Sequence, residues 1–185
     1  MKSTRLVNLP NALTLVRILL VPVFLCLYYG RPDAPWIALI VFVLAGITDI
    51  ADGYLARKSG QITWFGKLFD PLADKLMSIS VLYCLADAGQ IGWWVLWVFL
   101  LKECYLVAGA SVLFSKNYVV KSDYFGKTAT FSFILSICLL LPWHGQEWLA
   151  KLGSGLLYLS LLLALGALVH YTFLAVKKRS EFKAR

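Results

Sequence analysis

The chain has 185 residues, of which 60% are hydrophobic, and a mean hydropathy of +0.74. These values exceed the usual apolar share of a soluble domain, so the sequence predicts one integral membrane domain over residues 1–185. The net charge of +8 falls at the edges of the apolar runs and not on one soluble face. It therefore indicates membrane topology and contact with anionic membrane lipids, and argues against nucleic-acid binding.

Six apolar runs are each long enough to cross a hydrocarbon core of about 30 Å. We expect all six to be helices, which gives an all-α integral membrane protein with six transmembrane helices. In chain order the predicted spans cover residues 12–30, 36–57, 66–86, 91–114, 125–143 and 149–174. Arg17 interrupts the first run and no small-x-small cleavage site follows it, so we expect this span to be retained.

Basic residues alternate between the two sides of the predicted bundle. They precede span one and follow spans two, four and six, whereas the intervening loops contain only Arg31 and Lys151. The positive-inside rule then puts both termini in the cytoplasm, with residues 1–11 as a juxtamembrane segment and 177–185 as a basic tail. Five tryptophans gather near the opposite interface, where indoles commonly settle: Trp93, Trp94, Trp97, Trp143 and Trp148.

Four aspartates lie within apolar sequence at spacings of three and four: Asp49, Asp52, Asp70 and Asp74. In helices, the first pair shares one face of span two and the second pair shares one face of span three. The short polar turn between these antiparallel spans brings the pairs together. A carboxylate inside a membrane span costs about 2.5–3.5 kcal/mol unless its charge is balanced, so we expect cations at this place.

Hard oxygen ligands suit Mg²⁺, Mn²⁺ or Ca²⁺, and two divalent ions would neutralise four carboxylates. Two-metal sites are a standard means of stabilising phosphoryl transfer. Gly53 and Gly66 leave backbone open to a base or a diphosphate, and Arg57 adds a planar cation nearby. The alternative for Arg57 and Lys58 is an interfacial anchor, which we favour for Lys58 alone.

These residues resemble the signature of the CDP-alcohol phosphotransferase family at every fixed position. Eight specified residues fall within 26 positions: Asp49, Asp52, Gly53, Ala56, Arg57, Gly66, Asp70 and Asp74. The likeness extends to the opening Asn8-Leu-Pro10-Asn11-Ala-Leu-Thr14-Leu-Val-Arg17 and to Gly126-Lys127 before span five.

The resemblance implies transfer of a phosphatidyl group from CDP-diacylglycerol to an alcohol, with release of CMP. It implies two divalent cations, Mg²⁺ or Mn²⁺, bound by Asp49, Asp52 and Asp70, with Asp74 both approaching a metal and acting as general base. It also implies a homodimer in a bacterial cell membrane with the active site facing the cytoplasm. The residues expected near the CDP group are Gly53, Ala56, Arg57, Gly66, Asn11 and Thr14.

The sequence specifies the acceptor alcohol less clearly than it specifies the nucleotide donor. Asn-x-x-Thr-x-x-Arg and Asp-Pro-Leu-Ala-Asp-Lys are most similar to phosphatidylglycerophosphate synthases and related cardiolipin synthases. Two cations usual in the former are absent, since Ala110 and Ala129 stand at those positions. We place glycerol 3-phosphate first, as the commoner acceptor for short chains of this type, and phosphatidylglycerol second. The residues expected to bind the acceptor or its phosphate are Arg17, Lys102, Lys121 and Lys127.

Other interpretations remain open from the sequence. Intramembrane aspartates also mark ion pathways, so a divalent-cation transporter is an alternative, although its site would be expected nearer the midplane. A catalytically inactive relative is another, although its aspartate set would usually be broken. Arg17 could simply anchor span one at the interface.

The four cysteines lie in four different runs without metal-type spacing, and we expect them to be small core residues. Gly153, Gly155 and Gly166 are expected to allow close helix packing in span six.

Overall fold

The computed structural model describes residues 9–59, 64–114, 124–142 and 146–183, and the side chains of residues 12–51, 72–109, 126–142 and 146–173. All regular structure in these ranges is helical, which confirms the all-α prediction. The six helices are α1 (Leu9–Gly30), α2 (Pro35–Ser59), α3 (Trp64–Asp87), α4 (Trp93–Phe114), α5 (Tyr124–Leu140) and α6 (Glu147–Lys183).

The helix ends differ from the predicted spans most clearly in α6. This helix continues to Lys183, nine residues beyond the predicted end of span six at 174 and through most of the segment predicted as a basic tail. Lysine, arginine and glutamate are good helix formers, so a polar sequence can continue a helix after its apolar run has ended.

Among the residues whose side chains the structure describes, two segments are long and apolar enough to cross a membrane, Ala12–Gly30 and Glu147–Phe173. Shorter apolar segments occur at Pro35–Ala51 and Gly126–Leu140. Membrane crossing by all six helices stays a prediction.

The chain forms two compact units, Met1–Ala88 and Gly89–Arg185. In the first unit, α1 packs against both α2 and α3, and α2 contacts α3. Small side chains of α2 and α3 allow the helices to approach closely. The buried apolar side chains include Phe24 and Tyr28 of α1, Ala38, Phe42 and Ala45 of α2, and Ala73, Met77 and Leu82 of α3.

Hydrogen bonds join the carboxyl ends of α1 and α3. The Tyr28 hydroxyl donates to the Cys84 carbonyl oxygen at 3.2 Å, and the Tyr29 hydroxyl donates to Asp87 Oδ2 at 2.8 Å. These two helices are therefore parallel, and α2 between them in sequence runs the opposite way. The start of α1, the end of α2 and the start of α3 consequently lie at the same end of the first unit.

In the second unit, α5 packs along α6, and α4 also contacts α6. A Cβ at Gly153 would lie 2.8 Å from Leu140 Cγ, so close packing at this glycine is confirmed. Gly155 and Gly166 have no such neighbour within 4 Å, so the packing prediction finds no support at these two positions. Aromatic rings stack between helices as well: Trp94 on Tyr158 at 5.5 Å and Phe99 on Phe133 at 5.7 Å between centroids.

The cysteine prediction holds in part. Cys84 is fully buried and Cys138 is half-buried, but Cys26 and Cys104 are exposed on their units. The assignment of Cys26 and Cys104 to the core was therefore wrong.

Candidate active site

Asp49 follows the buried face of α2. Ala38, Phe42 and Ala45 are buried at helical spacing, and Asp49 lies one turn beyond Ala45 on the same side of the helix. The preceding Thr48 hydroxyl donates to the Ala45 carbonyl at 2.7 Å. Asp49 therefore lies on the side of α2 that faces the interior of the first unit, near the carboxyl end of α2.

Arg17 meets Asp49 across the α1–α2 contact. Arg17 Nη1 lies 2.8 Å from Asp49 Oδ1, and the Arg17 side chain is 1% exposed, against 46% for Asp49. Because the guanidinium is enclosed by the protein, the alternative in which Arg17 only anchors α1 at the interface does not fit. The pairing of Arg17 with Asp49 was not predicted from the sequence. The feature that could have indicated it is a single arginine within an apolar helix, because a buried arginine requires a counter-charge.

Thr14 lies one turn before Arg17 on the same face of α1 and is fully buried. Asn11 is also in α1, but its side chain lies outside the described set. The two residues therefore stand at the motif end of the first unit, and their contact with a nucleotide stays a prediction.

The other signature residues occupy the facing halves of α2 and α3. Asp74 is in α3 with its side chain exposed, next to buried Ala73. The remaining members lie within α2 or α3 with side chains outside the described set: Asp52, Gly53, Ala56, Arg57, Gly66 and Asp70. Since α2 ends and α3 begins at one end of the unit, the fold brings the helical segments that carry the signature to the same end.

The described side chains test the metal prediction only in part. Among them, no group of three or more aspartate, glutamate, histidine or cysteine residues is close enough to bind a metal ion. Two of the four aspartates, Asp52 and Asp70, lie outside that set. Asp49 and Asp74 are both accessible at the surface of the first unit, and carboxylate oxygens are the donors that Mg²⁺ and Mn²⁺ prefer. This donor chemistry fits a hard divalent cation.

Lys102, an expected acceptor residue, lies in α4 of the second unit. Its side chain is 11% exposed and pairs with Glu103, and its Nζ lies 4.6 Å from the centroid of the Phe99 ring. This lysine is therefore largely enclosed and its charge is balanced. Lys127 is exposed in α5, whereas Lys121 lies outside the described residues.

The fold and the motif define an all-helical protein with acidic residues on two adjacent antiparallel helices. The model of the CDP-alcohol phosphatidyltransferase family matches residues 7–172, and the chain belongs to this family. It is therefore an enzyme of the phosphatidyltransferase class, from a family of membrane-bound enzymes of lipid biosynthesis. This membership removes the ground for the transporter alternative.

The curated relatives of the chain include proteins named as cardiolipin synthase and proteins named as phosphatidylglycerophosphate synthase. The chain is 34% identical over 158 residues to a cardiolipin synthase (CMP-forming) of Streptomyces coelicolor, covering 83% of this chain and 74% of that protein. It is 36% identical over 156 residues to a CDP-diacylglycerol–glycerol-3-phosphate 3-phosphatidyltransferase of Rickettsia typhi, covering 83% of each. It is 40% identical over 149 residues to a probable phosphatidylglycerophosphate synthase of Mycobacterium tuberculosis, covering 76% of this chain and 69% of that protein.

Proposed function

We propose that the chain transfers the phosphatidyl group of CDP-diacylglycerol to glycerol 3-phosphate, giving phosphatidylglycerophosphate and CMP. The observation that carries this proposal is the complete eight-residue signature in a chain whose relatives include enzymes named for that reaction. The names of these relatives support both the nucleotide donor and the acceptor.

In this reaction the acceptor hydroxyl forms a bond to the phosphorus that carries diacylglycerol. The bond from that phosphorus to the bridging oxygen breaks, and CMP leaves with the electron pair. Asp74 takes the hydroxyl proton, as a carboxylate within hydrogen-bond reach can do. Two Mg²⁺ or Mn²⁺ ions, held by Asp49, Asp52, Asp70 and Asp74, would supply positive charge to the diphosphate and the leaving oxygen.

The other signature residues would bind the two substrates. Backbone at Gly53 and Gly66 admits the nucleotide closely, with Ala56, Arg57, Asn11 and Thr14 around it. Lys102, Lys121 and Lys127 are the candidates for the acceptor phosphate. Lys102 is already paired with Glu103, as a buried lysine needs a counter-charge. To bind the acceptor phosphate, Lys102 would have to give up part of that ion pair.

We further propose six spans with both termini and the active site at the cytoplasmic face of a bacterial cell membrane, and a homodimer as the assembly. The parallel course of α1 and α3 supports this topology, because it gathers the start of α1 and the signature at one end. The basic residues before span one and after span two fall at that same end, as the positive-inside rule requires.

A second acceptor is favoured by a separate observation. Ala110 and Ala129 stand where phosphatidylglycerophosphate synthases usually carry cations, and one relative is named a CMP-forming cardiolipin synthase. A site with fewer cations suits an acceptor such as phosphatidylglycerol, which has one phosphodiester and no terminal phosphate. The alternative activity is therefore cardiolipin synthesis.

The test supplies purified protein with radiolabelled CDP-diacylglycerol and Mg²⁺, and offers glycerol 3-phosphate, phosphatidylglycerol, inositol phosphate and serine in separate reactions. The proposal expects a labelled product that co-migrates with phosphatidylglycerophosphate. Labelled cardiolipin formed only with phosphatidylglycerol would replace the first acceptor by the second.

A further inference from the structure

The Arg17–Asp49 pair is buried unequally. The Arg17 side chain is 1% exposed and the Asp49 side chain is 46% exposed, with 2.8 Å between Nη1 and Oδ1. The guanidinium thus holds the carboxylate from the interior of the first unit, while the carboxylate also reaches its surface. A carboxylate offers about four lone-pair directions on two oxygens, so it can form an ion pair with an arginine and still bind a cation.

We propose that Arg17 is a positioning residue that fixes the orientation of the Asp49 carboxylate for cation binding. The inference rests on the proposed function, because it takes Asp49 as a ligand of the metal. It replaces the sequence-based expectation that Arg17 binds the acceptor or its phosphate.

The burial of α1 favours this role over direct substrate binding. Arg17 shares a face of α1 with Thr14 and Phe24, both 0% exposed, and is itself 1% exposed, so a substrate phosphate would have to enter the packed interior to reach it. A buried guanidinium is stable only with a close negative partner, and Asp49 supplies one.

An arginine side chain also suits the positioning of a carboxylate. Arginine is planar and charged at all ordinary pH values, so it can hold a carboxylate in one orientation where a lysine acts as a flexible point charge. Replacing the outer-shell partners of metal ligands commonly changes metal affinity by about 10- to 100-fold.

The test measures Mn²⁺ binding to the purified full chain by calorimetry and by electron paramagnetic resonance. We expect Arg17→Gln to weaken Mn²⁺ binding by about 10- to 100-fold, and Arg17→Lys to restore part of the loss. The matched control is Tyr28→Phe, which removes a hydrogen bond between α1 and α3 far from Asp49 and should leave Mn²⁺ affinity unchanged. Unchanged Mn²⁺ binding by Arg17→Gln overturns the proposal. Tighter Mn²⁺ binding also overturns it, because Arg17 would then act only as a positive charge that competes with Mn²⁺ for Asp49.

A double-mutant cycle separates an action through Asp49 from an action on the substrate. If Arg17 acts through Asp49, then Arg17→Gln has little further effect on Mn²⁺ affinity or kcat in an Asp49→Asn background. A KM for glycerol 3-phosphate that rises equally in both backgrounds would assign Arg17 to the acceptor instead.

The same measurements distinguish failure of this inference from failure of the proposed function. If the wild-type chain binds no Mn²⁺, the metal site and the role of Arg17 both fall. If wild type binds Mn²⁺ and Asp70→Asn weakens the binding while Arg17→Gln does not, only the role of Arg17 falls.

Discussion

Gly153 is a position where the structure predicts a clear effect of a single methyl group on stability. A Cβ there would lie 2.8 Å from Leu140 Cγ, 3.0 Å from Leu140 Cδ2 and 3.2 Å from Leu139 Cβ. Carbon atoms in good contact are about 3.5–4.0 Å apart, and Cγ cannot move away without shifting the whole side chain. We therefore expect Gly153→Ala to strain the contact between α5 and α6.

The size of the effect follows from two opposing contributions. Overpacking a well-packed contact costs about 1–3 kcal/mol. Replacing glycine by alanine within a helix recovers up to about 1 kcal/mol of helix propensity. The same substitution at Gly155, two residues along the same helix with nothing within 4 Å, recovers the propensity without the strain. Gly153→Ala should thus be less stable than Gly155→Ala by about 1–3 kcal/mol, since the propensity gain cancels.

The assay is unfolding of the purified variants in mixed detergent micelles, with the thermal midpoint in the same detergent as a second measure. Gly166→Ala provides another unhindered control. A Gly153→Ala variant as stable as Gly155→Ala would refute the close approach of α6 to Leu140.

The remaining predictions concern the acidic residues. Excess EDTA should abolish turnover and added Mg²⁺ or Mn²⁺ should restore it; full activity in EDTA would contradict a metal site. Asp52→Asn and Asp70→Asn should each lower Mn²⁺ affinity and rate together, and wild-type rates at limiting Mg²⁺ would remove either residue from the ligands. Asp74→Asn should lower kcat by about 10²- to 10⁴-fold with near-normal binding of CDP-diacylglycerol, whereas parallel loss of binding would make it an ordinary ligand. In EDTA, Asp49→Asn should destabilise the protein by about 1–3 kcal/mol, because buried Arg17 loses the carboxylate 2.8 Å from its Nη1, although half-exposure of Asp49 moderates the loss. Exposed Asp33→Asn, in the turn between α1 and α2, is the control, and equal stability of the two variants would speak against the ion pair.

The six helices could be predicted because apolar runs of this length satisfy their backbone hydrogen bonds internally when they are helical. It was harder to predict from the sequence which face of each helix is buried. Cys26 and Cys104 are as apolar as Cys84, yet they lie on the outside of their units. In a membrane protein the lipid-facing surface is as apolar as the core, so hydrophobicity alone cannot separate the two.

The aspartate motif was visible in the sequence because carboxylates in apolar runs are costly and their helical spacing is regular. The partner of Asp49 was not visible, because it depends on how α1 lies against α2. Arg17 is 32 positions away from Asp49, and only the packing of the two helices brings Nη1 within 2.8 Å of Oδ1. Sequence reasoning therefore found both charges but not the contact between them.

The most direct test of the account is release of CMP from CDP-diacylglycerol by the purified chain, measured with and without glycerol 3-phosphate in Mg²⁺. The account predicts CMP release that depends on glycerol 3-phosphate, equals the phosphatidylglycerophosphate formed, and is lost in Asp70→Asn. No acceptor-dependent CMP release with either glycerol 3-phosphate or phosphatidylglycerol, from protein that is folded and binds Mn²⁺, would contradict the proposed phosphatidyl transfer.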